Sequence, residues 1–294
     1  MKFLAPVSWD EALAAKAARP EALAIAGGTD VMVELNLTPC RPPALLDLTR
    51  IPELRTWSLT DDGRVRLGAG VSYRRVIDEL GHRLPGLAMA SRTVGSPQIR
   101  NRGTVGGNLG AASPAGDCHP PLLATGAEVE VASVRGSRLI PVDDFYAGVK
   151  RNALAPDELI AAVLVPVARG PQQFSKVGTR NAMVIAVCSF ALALDTDHQG
   201  VGTGIGSAAP TPRRAREAEA FLVGALGERD LWGRRGALSE PVCRRFGELV
   251  AASAAPIDDV RGTAAYRRHA LSVLARRTLA WAWDDYRATG RAAA

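Results

Sequence analysis

The chain has 294 residues, 47% hydrophobic and 22% charged, the balance of a globular protein long enough for two cores at roughly 100–200 residues per domain. Its longest apolar stretch, Ala182 to Leu194, falls short of the about 20 residues that a membrane span needs, and Pro6, Asp10 and Glu11 interrupt any signal-like start, so the expected location is the cytoplasm. The net charge of +6 rests mostly on the segment from Thr211 onward, whose paired arginines (Arg213-Arg214, Arg267-Arg268 and others) lie on helical patterns among acids; this fits solvated helix faces or a protein interface, not nucleic acid.

In chain order, Ser8 with Glu11 three residues on forms a capping box that predicts a helix to about Ala18, stopped by Pro20. Ala22 to Ala26 reads as a short apolar strand, and Val31 to Leu37 as a short helix. Ala44–Leu48 and Arg64–Ala69 read as further strands, the first completing a small βαβ-like unit. A helix over 73–80 precedes a stretch rich in Pro, Gly and Asn, Gly95 to Pro121, which reads as too polar and glycine-rich to form core. Strands are predicted at 127–133 and 158–165, and a linker at 166–171. Beyond it, strand-like runs at 173–177, 183–194 and 201–207 lead into helical patterns over 213–226, 240–252 and 264–287. The order predicts an α+β chain of two domains, residues 1–168 and residues 169–294, the second an antiparallel sheet with helices. Cys40, Cys118, Cys188 and Cys243 are far apart with no C-x-x-C pair, which argues against a local zinc or iron–sulfur ligand set and for reduced, mostly buried thiols.

Two glycine loops carry the chemistry. In Ile25-Ala26-Gly27-Gly28-Thr29-Asp30 a strand runs into Gly-Gly, where backbone N–H groups can approach a phosphate and Thr29 can donate a hydroxyl. The spacing is not that of a Rossmann fingerprint, and a tight turn at a strand end remains the alternative. The second loop, Gly103-Thr104-Val105-Gly106-Gly107-Asn108, is followed by Ala112-Ser113-Pro114-Ala115-Gly116-Asp117. Thr104, Asn108 and Ser113 offer donors for a pyrophosphate, and Asp117 an acceptor for a ribose or ribityl hydroxyl or a ring N–H. An elaborate loop held by Asx turns is the alternative here. Two such loops in one domain point to a dinucleotide held from two sides. His82, His198 and His269 stand beside no partner that marks them, and no Ser–His–Asp or paired-carboxylate arrangement is evident.

These loops, with Thr104-Val105-Gly106-Gly107-Asn108-Leu109-x-x-Ala112-Ser113-Pro114-x-x-Asp117 read as one motif, resemble those of the FAD-binding (medium) subunits of the molybdenum hydroxylases. Phe174 to Arg180, Ala209 to Arg213 and Tyr266-Arg267-Arg268-His269 resemble that family's C-terminal domain, so the likeness covers nearly the whole chain. Within the family the chain looks most like the xanthine dehydrogenase type, with the medium subunit of a carbon monoxide, aldehyde or N-heterocycle dehydrogenase as the alternative.

The resemblance implies a two-part α/β FAD-binding domain of the vanillyl-alcohol-oxidase (PCMH) kind, then a C-terminal domain with a three-stranded antiparallel sheet and helices. It implies that Ile25, Ala26, Gly27, Gly28, Thr29, Asp30 and Val31 wrap the FAD diphosphate, and that Thr104, Val105, Gly106, Gly107 and Asn108 oppose them. Ser113 and Asp117 then approach the ribityl or adenosine part, Ile160 is an apolar contact, and Lys176 is a basic contact, with a solvated lysine as its alternative. FAD is expected to be non-covalent, although Cys118 and His119 are residue types that other flavoproteins use for attachment. Molybdopterin and two [2Fe–2S] clusters are implied only for separate large and small partner subunits of a heterotrimer. There this chain would pass electrons from the clusters to NAD+ or another acceptor. A non-catalytic nucleotide-binding module and a free-standing flavin oxidase are the competing readings.

Overall fold

Ser8 begins the first helix as its spacing predicts: its hydroxyl accepts the Glu11 N–H at 3.3 Å, while the Glu11 carboxylate reaches back to the Val7 N–H at 2.9 Å. The computed structural model describes residues 1–39 and 41–291. Strands β1 (Lys2–Leu4), β2 (Leu23–Ile25) and β3 (Ala44–Asp47) form a parallel sheet in the order β1-β3-β2. The helix Val31–Leu37 is the crossover between β2 and β3. Next come β4 (Trp57–Leu59), β5 (Arg64–Gly68), β6 (Glu128–Ser133) and β7 (Gly136–Pro141). They are followed by the small hairpin of β8 (Tyr146–Gly148) and β9 (Arg151–Asn152), then by β10 (Leu159–Pro166). An antiparallel sheet runs β4-β5-β10-β6-β7. Its centre is β10, apolar from Leu159 to Val165 and buried along that length, as a strand flanked on both sides requires. One core joins the two sheets with the helices between them.

The C-terminal part is a three-stranded antiparallel sheet, β11 (Gln172–Val177), β12 (Cys188–Asp195) and β13 (Gly200–Gly206). Alternation along β12 divides its faces. Cys188, Phe190, Leu192 and Leu194 join the core made with the helices Arg216–Glu228, Glu240–Ala252 and Ala264–Arg291. Ala191 and Ala193 face the first domain, in a cluster with Phe174, Ala90 and Ala124. On β13 a methyl at Gly202 or Gly204 would overlap the Ala124 or Pro120 carbonyl oxygen. This bare strand is thus the bed of the helix His119–Ala124.

Three expectations need correction. The stretch from Gly95 to Pro121 does contribute to the core: Val105, Leu109 and Cys118 are buried within it. It holds the short helices Pro97–Arg102 and Val105–Ala111, started by Ser96 and Thr104 side chains, and leads into the helix His119–Ala124, with a further helix at Pro85–Thr93 ahead of it. The run from 183 becomes strand only at Cys188, because Met183 sits at φ 51° and leaves Met183 and Ile185 more than half exposed. Arg267 is not on a solvated face but 4% exposed. Cys118 and Cys188 are free and buried and Cys243 is free and half-buried, while Cys40 lies outside the described residues.

Candidate functional site

The two glycine loops meet. After Ile25 the chain turns through Gly27 and Gly28, the latter at φ 76°, where glycine is favoured. A methyl at Gly27 would overlap the Arg102 carbonyl oxygen and lie 3.0 Å from Gly103 Cα, so the first loop rests directly on the backbone of the second. Thr104 caps the helix Val105–Ala111 by accepting the Gly107 N–H at 2.9 Å. Gly107 and Gly110 are exposed and three residues apart, which leaves one helix face without side chains. A methyl on Gly107 would sit 4.0 Å from Ala26 Cβ, and one on Gly110 would sit 3.8 Å from Ile160 Cδ1. The result is a surface bordered by Ala26, carpeted by glycine and underlain by Ile160.

The polar end lies at Asp117. Its Oδ2 accepts Lys176 Nζ at 2.6 Å and Thr93 Oγ1 at 3.0 Å, and Lys176 also donates to the Thr93 carbonyl at 3.2 Å. Both ion-pair side chains are less than one-tenth exposed, so Lys176 is not a solvated lysine. Burial pushes the Asp117 carboxyl up, with Lys176 and then Thr93 opposing it. Gly116 is pressed between neighbours: a methyl there would be 2.6 Å from Asn108 Nδ2 and would overlap the His119 ring. His119 is fully buried, takes a hydrogen bond with Tyr146 Oη at 2.9 Å, and is held by burial down to about 3. Cys118 is equally buried and its thiol is pushed up by burial. Neither is an exposed nucleophile.

The predicted residues therefore fall into two groups, the abutting loops with Ile160 and the Asp117–Lys176 pair, joined through Asn108 and Gly116. Ser113 is in the connecting turn, its carbonyl accepting the Gly116 N–H and its hydroxyl the Ala115 N–H. Asp30 precedes the helix Val31–Leu37 without a side-chain cap bond and is exposed. Thr93, Tyr73 and Tyr146 were not legible beforehand. Tyr73 packs its ring against Gly103, 2.7 Å from where a methyl would be, and donates its N–H to the Gly103 carbonyl at 3.0 Å. The sequence placed Tyr73 only at the start of a helix over 73–80, and that says nothing about which loop it touches.

The arrangement offers groups for both an anionic and a hydroxyl-bearing ligand part. Among the described residues, the N–H groups of Gly27, Gly28, Thr29 and Asp30 and the Thr29 hydroxyl have no hydrogen-bond partner. These are donors suited to phosphate oxygens. Asn108 Oδ1 and Asp117 Oδ1 are buried acceptors without a partner, suited to hydroxyl or ring N–H donors. Among the described residues no group of His, Cys, Asp and Glu could hold a metal ion, and no helix is long and apolar enough to cross a membrane.

Residues 1–168 match the FAD binding domain in molybdopterin dehydrogenase, and residues 173–282 match the CO dehydrogenase flavoprotein C-terminal domain. The chain is 30% identical over 286 residues to the nicotine 6-hydroxylase medium subunit of Paenarthrobacter nicotinovorans, covering 95% of this chain and 96% of that one. It is 33% identical over 212 residues to the nicotinate dehydrogenase FAD-subunit of Eubacterium barkeri, covering 68% and 71%. Among solved structures, a chain of carbon monoxide dehydrogenase from Hydrogenophaga pseudoflava superposes with TM-score 0.86 at 28% identity, over 96% of this chain and 98% of that one.

Proposed function

The chain belongs to the FAD-binding subunits of the molybdenum hydroxylases, and on that premise we propose that it works as the electron-transfer subunit of a multi-subunit complex. Residues 1–168 hold FAD without a covalent bond, and residues 169–294 close over it and dock partners. The unpartnered N–H groups from Gly27 to Asp30, with Thr29, bind the diphosphate, and Ile25, Ala26 and Val31 shape that loop. Thr104, Val105 and Gly106 set the opposing loop, and the bare Gly107 face with Ile160 takes the flat or apolar part. Asn108 Oδ1, Asp117 Oδ1 and Ser113 receive the ribityl or adenosine hydroxyls, while Lys176 keeps Asp117 charged and oriented. Bound FAD supplies the redox chemistry that links [2Fe–2S] clusters of a small partner subunit to NAD+ or another acceptor.

The organic substrate is oxidised in a large molybdopterin subunit; an N-heterocycle, xanthine first, is the reading to which the motifs and the nicotinate and nicotine relatives lend support. A cytoplasmic heterotrimer is the expected assembly. The observation that carries the reading is the pairing of free N–H donors on one loop with two buried orphan acceptors beside the other. Purified chain incubated with FAD and desalted should keep a flavin absorption spectrum, and trichloroacetic acid should release it. A colourless protein after desalting sinks the FAD assignment, and a yellow acid pellet sinks the non-covalent one. Co-purification of molybdenum and iron–sulfur subunits, then turnover of xanthine against nicotinate and carbon monoxide, reads the partners and the substrate.

A further inference from the structure

We propose that Ser207, pinned from inside the C-terminal domain by Arg267, is a positioning residue that aims the Ser113–Asp117 loop at the cofactor. The inference rests on the FAD reading above. Ser207 follows β13 at φ 59°, a left-handed conformation unfavourable for a residue with a side chain. Such strain persists only where the surroundings over-determine it, and here two backbone hydrogen bonds do so. The Ser207 N–H donates to the Pro114 carbonyl at 2.8 Å, across the domain boundary. Its carbonyl accepts Arg267 Nη1 at 2.5 Å.

Arg267 is built for this task. Its guanidinium is 4% exposed, donates from Nη1 to the Val187 carbonyl at 2.9 Å as well, and pairs through Nη2 with Asp259. The rigid planar fork therefore ties the start of β12, the end of β13 and the turn at Asp259 into one unit. A lysine would supply charge but not that geometry. The consequence reaches the site because Pro114 lies three residues before Asp117. The loop is gripped twice by the C-terminal domain: Lys176 on β11 holds the Asp117 side chain, and Ser207 after β13 holds the backbone. With both grips, the orphan Asp117 Oδ1 faces its ligand in one orientation. Glycine would relieve the strain at Ser207 and remove its buried, unpartnered hydroxyl. The backbone link, not the hydroxyl, is what the loop needs.

The test compares Ser207→Val, Ser207→Gly and Arg267→Lys with the parent chain by FAD titration (flavin fluorescence), flavin circular dichroism and melting of the FAD-free protein. Valine cannot hold the left-handed conformation, so Ser207→Val should weaken FAD about tenfold, the equivalent of one lost hydrogen bond, and change the flavin dichroism. Arg267→Lys should do the same, and Ser207→Gly should bind FAD like the parent. Equal losses in Ser207→Gly and Ser207→Val, or parent-like FAD affinity in Ser207→Val whatever happens to its melting, overturn the assignment. Absence of FAD binding by the parent chain would instead overturn the proposed function.

Discussion

Gly27 and Gly107 are both glycines of the nucleotide loops, yet the structure gives them different reasons to lack a side chain. At Gly27 the obstacle is the protein itself, since the Arg102 carbonyl occupies the place of a methyl. Gly27→Ala must push the loops apart, which overpacking of this kind sets at roughly 1–3 kcal/mol of stability with or without FAD. At Gly107 the nearest protein atoms to an added methyl are Thr104 Oγ1 at 3.0 Å and Ala26 Cβ at 4.0 Å, so a side chain disturbs the helix cap and projects over the exposed glycine face. For Gly107→Val the weakened cap, about 1 kcal/mol, is offset in part by the better helix propensity of valine over glycine. FAD-free Gly107→Val should therefore melt close to the parent protein, while its FAD affinity falls by at least about a hundredfold, roughly 3 kcal/mol. Thermal melts and FAD titration of the two variants separate these effects. Retained FAD binding in Gly107→Val would remove the helix face from the site.

At the scale of elements, the helix His119–Ala124 joins the nucleotide loops to the C-terminal sheet, and its first residue gives it a pH dependence. His119 is held down to about 3 by burial, whereas an unfolded histidine titrates near 6.5. As pH falls through about 6.5 the unfolded chain takes up a proton that the native chain refuses until about 3, so stability is lost over that interval, at about 1.4 kcal/mol per pH unit. Asp117, two residues away, acts with the opposite sign. Its raised carboxyl is protonated in the native state first, and this offsets part of the acid loss. Urea unfolding of His119→Gln from about pH 6.5 to about pH 4 should show a slope shallower by close to one proton than the parent. Parallel slopes would show that His119 does not carry the loss. In the sequence His119 and Cys118 stood out only as residue types that other flavoproteins use for attachment, with non-covalent FAD expected; the burial that sets this pH dependence comes from packing. What was legible was local: the helix at Trp9 follows from spacing and its Ser8 cap, and the crossover helix Val31–Leu37 and the helix Glu240–Ala252 follow from apolar spacing alone. Short helices in the stretch from Gly95 to Pro121 were missed because glycine and proline there act as helix starts and packing faces instead of breakers. The Asp117–Lys176 pair spans 59 residues, and no local pattern encodes such a contact.

The whole molecule behaves as two cores held by one seam, and the seam runs beside the site. Gln172 takes the Gly86 N–H at 3.2 Å, Lys176 pairs with Asp117 at 2.6 Å, and Ser207 holds Pro114 at 2.8 Å. The seam continues on the glycine face of β13, where residues 202 and 204 admit the backbone of the helix His119–Ala124. Close packing of this kind leaves no slack, since interiors fill space as densely as organic crystals. Gly204→Ala should lift the helix off the sheet and lengthen all three polar links at once. A buried Lys–Asp pair that loses its geometry leaves two desolvated charges poorly matched, and breaking such a pair is worth about 3–5 kcal/mol. The expected outcome is a drop in melting temperature of the FAD-free chain together with weakened FAD, although residue 204 belongs to the C-terminal domain. Gly224→Ala is the matched control, because Gly224 is exposed on the helix Arg216–Glu228 with nothing within 4 Å of an added methyl. That variant should be stabilised by roughly 0.5–1 kcal/mol with FAD affinity unchanged. If Gly204→Ala kept parent-like melting and FAD affinity, the seam would not couple the domains and the C-terminal sheet would be a passive cover.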